Sequence, residues 1–61
     1  MMTLRTCDFD TYCAIENYVF NILADDEAEL LLDDVQAFAS RYNVAITADE
    51  VQQMVWDFDE M

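Results

Sequence analysis

The chain has 61 residues, 14 of them Asp or Glu against 2 Lys or Arg, with no His, Gly or Pro and a formal net charge of -12. Such a field repels nucleic acid and anionic lipid, because binding there requires Lys and Arg to neutralise phosphates. A hydrophobic fraction of 56% excludes a disordered acidic tail. The composition therefore implies one folded domain, residues 1–61, whose attractive partners are basic proteins.

Two thiols, Cys7 and Cys13, are too few for a disulfide framework and are expected to be reduced, in a cytoplasmic protein. Residues 1–5 lead into acids and not into a signal peptide's apolar core. No apolar run approaches the roughly 20 residues of a membrane helix. A domain this small buries only about 60% of its unfolded-chain surface. Further stability is expected from a homodimer or a larger partner.

Helical period first appears at about 10–24, with Asp8 or Asp10 at the start. Phe9, Tyr12, Cys13, Ile15, Val19, Phe20, Ile22 and Leu23 cover more than half the helix circumference at about 100° per residue. Asn17 and Asn21 mark the polar side. An arc this wide exceeds one core face and suggests a second buried side, such as a dimer seam. Glu16 falls inside the arc, between Tyr12 and Phe20. A carboxylate buried there needs a partner or a raised pKa, and Arg5 and Arg41 are the only bases that could serve.

The second helix is predicted at about 26–42, capped by Asp25 or Asp26, with acids in its first turn suiting the helix dipole. Ala28, Leu31, Leu32, Val35, Phe38, Ala39 and Tyr42 follow the i, i+3, i+4, i+7 stripe. Leu30 points away from that stripe, and Glu29, Asp33, Asp34 and Gln36 lie off it. Asn43 can take the left-handed conformation that ends a helix. Thr47 and Glu50 then read as a capping box. The third helix is predicted at about 48–58, with Val51, Met54, Val55 and Phe58 on one face and Trp56 almost opposite. The fold class is all-α, a small three-helix bundle, with short extended pieces at 3–7 and 44–47 that can pair.

Candidate partner-binding residues fall in two runs. Asp25, Asp26, Glu29, Asp33 and Asp34 form the first, with Leu30 as an apolar anchor. On a continuous helix, Glu29 and Asp33 lie about 6 Å apart along the axis, close to the separation of neighbouring phosphates on one DNA strand. Asp57, Asp59 and Glu60 form the second, beside Trp56, a residue type enriched among interface hot spots.

In size, charge and compactness the whole chain is similar to small acidic inhibitors encoded by phages and mobile elements: DNA-mimic anti-restriction proteins, anti-CRISPR proteins and uracil-DNA glycosylase inhibitors. The resemblance implies a non-enzymatic protein that occupies the positive groove of a nucleic-acid-binding target. It rests on no residue motif, so it transfers no functional residue. The alternative is a structural or regulatory interaction module, a homodimer or an antitoxin-like partner of a basic protein.

Residues 38–51 also resemble a helix-turn-helix unit, in which Ala39, Asn43 and Val44 fit the first helix and turn. Val51 falls about two residues late, and the would-be recognition helix carries Asp49, Glu50 and Asp57 but no base, so direct DNA reading is not expected. Catalysis is not expected either. Cys7 and Cys13 lack a His partner, and Asp8-Phe9-Asp10 and Asp57-Phe58-Asp59 do not continue into a calcium loop with its Gly. No cofactor and no metal is called for.

Overall fold

A computed structural model of the chain describes residues 1–60. Three helices, α1 (Phe9–Ala24), α2 (Leu32–Ser40) and α3 (Ala48–Asp59), pack as a small bundle, closed at one end by β1 (Met2–Thr3) and β2 (Val44–Ala45). The Cα radius of gyration is 10.9 Å. An ordinary globule of this length has about 10.5 Å.

α1 follows the predicted period. Its wide apolar arc serves two neighbours, because α1 packs on both α2 and α3. Ile15 and Val19 are fully buried, while Tyr12, Tyr18, Phe20 and Leu23 pack against the core's edge. Tyr18 stacks on Phe38 of α2 with ring centroids 4.1 Å apart, and Phe20 meets Phe58 of α3 at 5.5 Å. Much of the arc's width is thus used within the chain; Cys13 and Ile22 are half-buried, and Phe9 is 77% exposed.

The start of the second helix is corrected. α2 begins at Leu32, not near residue 26, and its N-cap, Leu31, makes no side-chain capping bond. Asp25 caps nothing in α2. Its carboxylate accepts from the Glu27 amide at 3.0 Å, and the Ala28 amide donates to its carbonyl at 3.1 Å. The cause is local. Asp side chains compete for backbone groups outside helices. A helix through this stretch would also stack Asp25 on Glu29 and Glu29 on Asp33, like charges at i,i+4. Ala28, Leu31 and Leu32 are therefore exposed instead of completing a buried stripe, and Leu30 packs against the core. The stripe is kept by Val35 and Ala39, both buried, with Phe38 at the core's edge.

At its other end α2 stops at Ser40. The amides of Arg41, Tyr42 and Asn43 donate to the carbonyls of Phe38, Ala39 and Ser40 at 3.1, 3.0 and 3.0 Å, the tighter i−3 pattern common at helix ends. Asn43 has φ 60°, the left-handed conformation expected of it. This reversal releases β2. Gln36 then reaches across, its Nε2 donating to the Ile46 carbonyl at 3.1 Å.

β1 and β2 pair in parallel, Met2 with Val44 and Thr3 with Ala45. The pairing is shorter than 3–7 with 44–47, because residues after Thr3 curl. The Thr6 and Cys7 amides both donate to the Thr3 carbonyl, at 3.1 and 3.0 Å. That turn inserts Leu4 into a core completed by Val44, Ile46, Val51 and Met54. α3 begins with the predicted capping box: the Glu50 amide donates to Thr47 Oγ1 at 3.2 Å and the Thr47 amide to Glu50 Oε1 at 3.0 Å.

Candidate protein-binding surface

Eleven of the 14 acidic residues are exposed and the other three, Glu16, Glu50 and Asp57, are half-buried. Two bases cannot neutralise such a surface. The placement of the acids follows from the helices. Asp25, Asp26, Glu27 and Glu29 lie in the connection from α1 to α2, Asp33 and Asp34 in the first turn of α2, and Asp57, Asp59 and Glu60 at the end of α3. Phe58 touches Phe20 and Asp57 lines a groove with Tyr12, so the end of α3 lies against the middle of α1.

Backbone dipoles act on these carboxylates in two senses. The C-terminal ends of α1 and α3 carry partial negative charge, and neither helix has a base in its last turn. Asp57, Asp59 and Glu60 thus sit where cations are favoured. Asp33 and Asp34 occupy the first turn of α2, where carboxylates are favoured. Arg41 caps the opposite end of α2, and Arg5 lies in the turn after β1 beside the start of α3. Arg41 borders a concave site with Asp34, and Arg5 borders another with Asp49, Glu50 and Asp57.

Two of the expected contacts are corrected. Glu29 lies in the connection before α2, so Glu29 and Asp33 do not form a ladder on one helix. Leu30 is half-buried against the core and is not a free anchor. Trp56 is 55% exposed and stands on the outer face of α3. Its i±3 and i±4 neighbours on that helix are Gln52, Gln53, Asp59 and Glu60, so an aromatic ring borders the carboxylates.

Two concave sites flank this surface. A groove of about 390 Å³ runs between the start of α1 and α3, with Leu4, Tyr12 and Met54 below and Asp49, Glu50 and Asp57 around it. Arg5 and Gln53 complete its wall. Burial, followed by the carboxylate of Glu16 one turn away and that of Asp57, raises the Tyr12 phenol above its ordinary value of 10.0. Glu16 is thus half-buried on α1 beside this phenol. The second site, about 290 Å³, is bounded by Tyr18, Asp34, Ala37, Phe38 and Arg41. At the start of α1, Thr11 Oγ1 donates to Asp8 Oδ1 at 2.6 Å, which lowers the Asp8 pKa. The grooves were not legible in the sequence, because the first depends on how Leu4 and Tyr12 meet α3 and the second on how Tyr18 meets α2.

Among the described residues, no three His, Cys, Asp or Glu side chains converge to hold a metal ion. Nor is any helix among them long and apolar enough to cross a membrane. No family model, curated protein or solved structure matches the chain.

Proposed function

We propose that the protein is a non-enzymatic, cytoplasmic inhibitor of a nucleic-acid-binding protein. It competes for the target's positive groove as a DNA mimic, in the manner of the anti-restriction and anti-CRISPR proteins of phages and mobile elements. The observation that carries this reading is the acidic surface, where 11 of 14 carboxylates are exposed against only two arginines, with runs in the α1–α2 connection, the first turn of α2 and the end of α3. Long-range attraction would speed encounter, and Trp56, exposed beside Asp59 and Glu60, would slow release.

The test begins with the immobilised protein, loaded with bacterial lysate at low salt and eluted with rising salt. Each eluted protein is then bound to labelled nucleic acid and challenged with the free chain. Stoichiometric displacement of the nucleic acid supports the proposal. Captured proteins that keep their nucleic acid bound would contradict it.

A second reading, an interaction module that works as a homodimer or as an antitoxin-like partner of a basic protein, is favoured by the exposed Phe9 and Trp56, at 77% and 55%. It expects a dimer in sedimentation at micromolar concentration that persists as salt rises, since apolar association is not screened. A monomer across that range would remove the homodimer.

A further inference from the structure

We propose that the groove between the start of α1 and α3 is a socket for a single arginine side chain of the protein's basic partner. The inference rests on the reading of the chain as a binder of basic proteins and adds where, and by which side chain, the partner is held. The groove's volume is about 390 Å³, with an apolar floor of Leu4, Tyr12 and Met54 and carboxylates at Asp49, Glu50 and Asp57. A guanidinium has apolar faces and a charged, donor-rich edge, so it matches both parts of this lining.

Two further features select an organic cation over a metal ion. Among the described residues no three acids converge closely enough to chelate, so these carboxylates are spread around a volume. Tyr12 lines the groove, and an aromatic ring favours guanidinium over ammonium. The walls are also held in place beforehand. Glu50 is fixed by the Thr47 amide at 3.0 Å, and Asp57 Oδ1 accepts from Gln53 Nε2 at 3.2 Å. Preorganisation of this kind lowers the ordering cost of binding.

Arg5 lines the same groove. One of the chain's two cations therefore already stands where the partner's would enter, and the two must compete. Removing Arg5 should strengthen binding. Removing Arg41, which changes the net charge equally but lines the other groove, should strengthen it less.

The probe is a blocked Ala-Arg-Ala peptide, titrated into the full chain at low salt and followed by NMR. Matched peptides carry citrulline, the uncharged isostere, or lysine. Saturable shifts at Tyr12, Gln53 and Met54 are expected with arginine, weaker ones with lysine and none with citrulline. Asp57→Asn should weaken binding about two- to fivefold, in the range of an exposed charge pair. Arg5→Gln should tighten it by more than Arg41→Gln, with near-ultraviolet circular dichroism confirming that each variant is folded. Equal responses to Arg5→Gln and Arg41→Gln would overturn the socket, as would shifts of equal size at Asp33 and Asp34 or the absence of saturation. A chain that displaces nucleic acid from its target but gives no groove response would lose the socket and keep the proposed function. A groove response without displacement would do the reverse.

Discussion

Trp56 shows how one residue's position separates folding from binding. Its ring is 55% exposed and lies opposite the face that buries Val51 and Met54. Trp56→Ala should therefore change stability by no more than about 0.5 kcal/mol, the usual scale for a surface substitution. If Trp56 anchors the partner, the same change should weaken binding by about 2 kcal/mol, chiefly through faster release. Denaturant melts and surface-based binding kinetics check the two halves separately. Tyr12 supplies a pH prediction. Its phenol is raised above 10.0 by burial and by the neighbouring Glu16 and Asp57. The folded state thus favours the neutral form, and its contribution is full below the unfolded value of about 10. It is lost as pH climbs through the raised folded value. Urea midpoints should fall as pH rises above 10 in the wild type and fall less in Tyr12→Phe. Equal loss in both would remove Tyr12 from that transition.

The helices differ in how clearly the sequence announced them. α3 was legible at both ends because its start is fixed by side chains: Thr47 and Glu50 make the capping box that their spacing predicts. Thr47→Ala should cost about 1 kcal/mol, the usual loss at an N-cap, read as a lower urea midpoint with an unchanged slope. A smaller loss than a few tenths would mean that tertiary contacts alone hold the helix start. Asn43 was equally legible, since few residues other than Gly adopt φ 60° readily and the chain has no Gly. α2 was not legible at its start. Its apolar period continues back through Leu31 and Ala28, but periodicity takes no account of repulsion among Asp25, Asp26, Glu27 and Glu29, nor of Asp25's bond to the Glu27 amide. The misreading carried a consequence for function. A helical ladder of Glu29 and Asp33 is replaced by an acidic loop followed by a helix start. Likewise the broad face of α1, read as wide enough for a dimer seam, is shared by α2 and α3 within the bundle.

For the whole molecule the governing quantity is self-repulsion. A net charge of -12 on a chain whose longest dimension is 32 Å raises the free energy of the folded state, and added salt screens it. The melting temperature at pH 7 should rise between low and moderate ionic strength, as calorimetry would show. No rise would mean that the carboxylates are too far apart to matter to stability. Neutralising Glu29, Asp33 and Asp34 together to Gln or Asn relieves part of the same repulsion without touching the core. It also forfeits the interaction of Asp33 and Asp34 with the α2 dipole, about 0.3–1 kcal/mol each, so the net change in stability should be small. That variant gives the most direct test of the central claim, that the acidic surface replaces nucleic acid on a basic target. The measurement is displacement of labelled nucleic acid from the captured target by wild type and by the triple variant, at two salt concentrations. The account predicts that the wild type displaces it and loses affinity steeply with salt, whereas the folded variant displaces it weakly and with a shallower salt dependence. Equal displacement and equal salt dependence in the two proteins would contradict it.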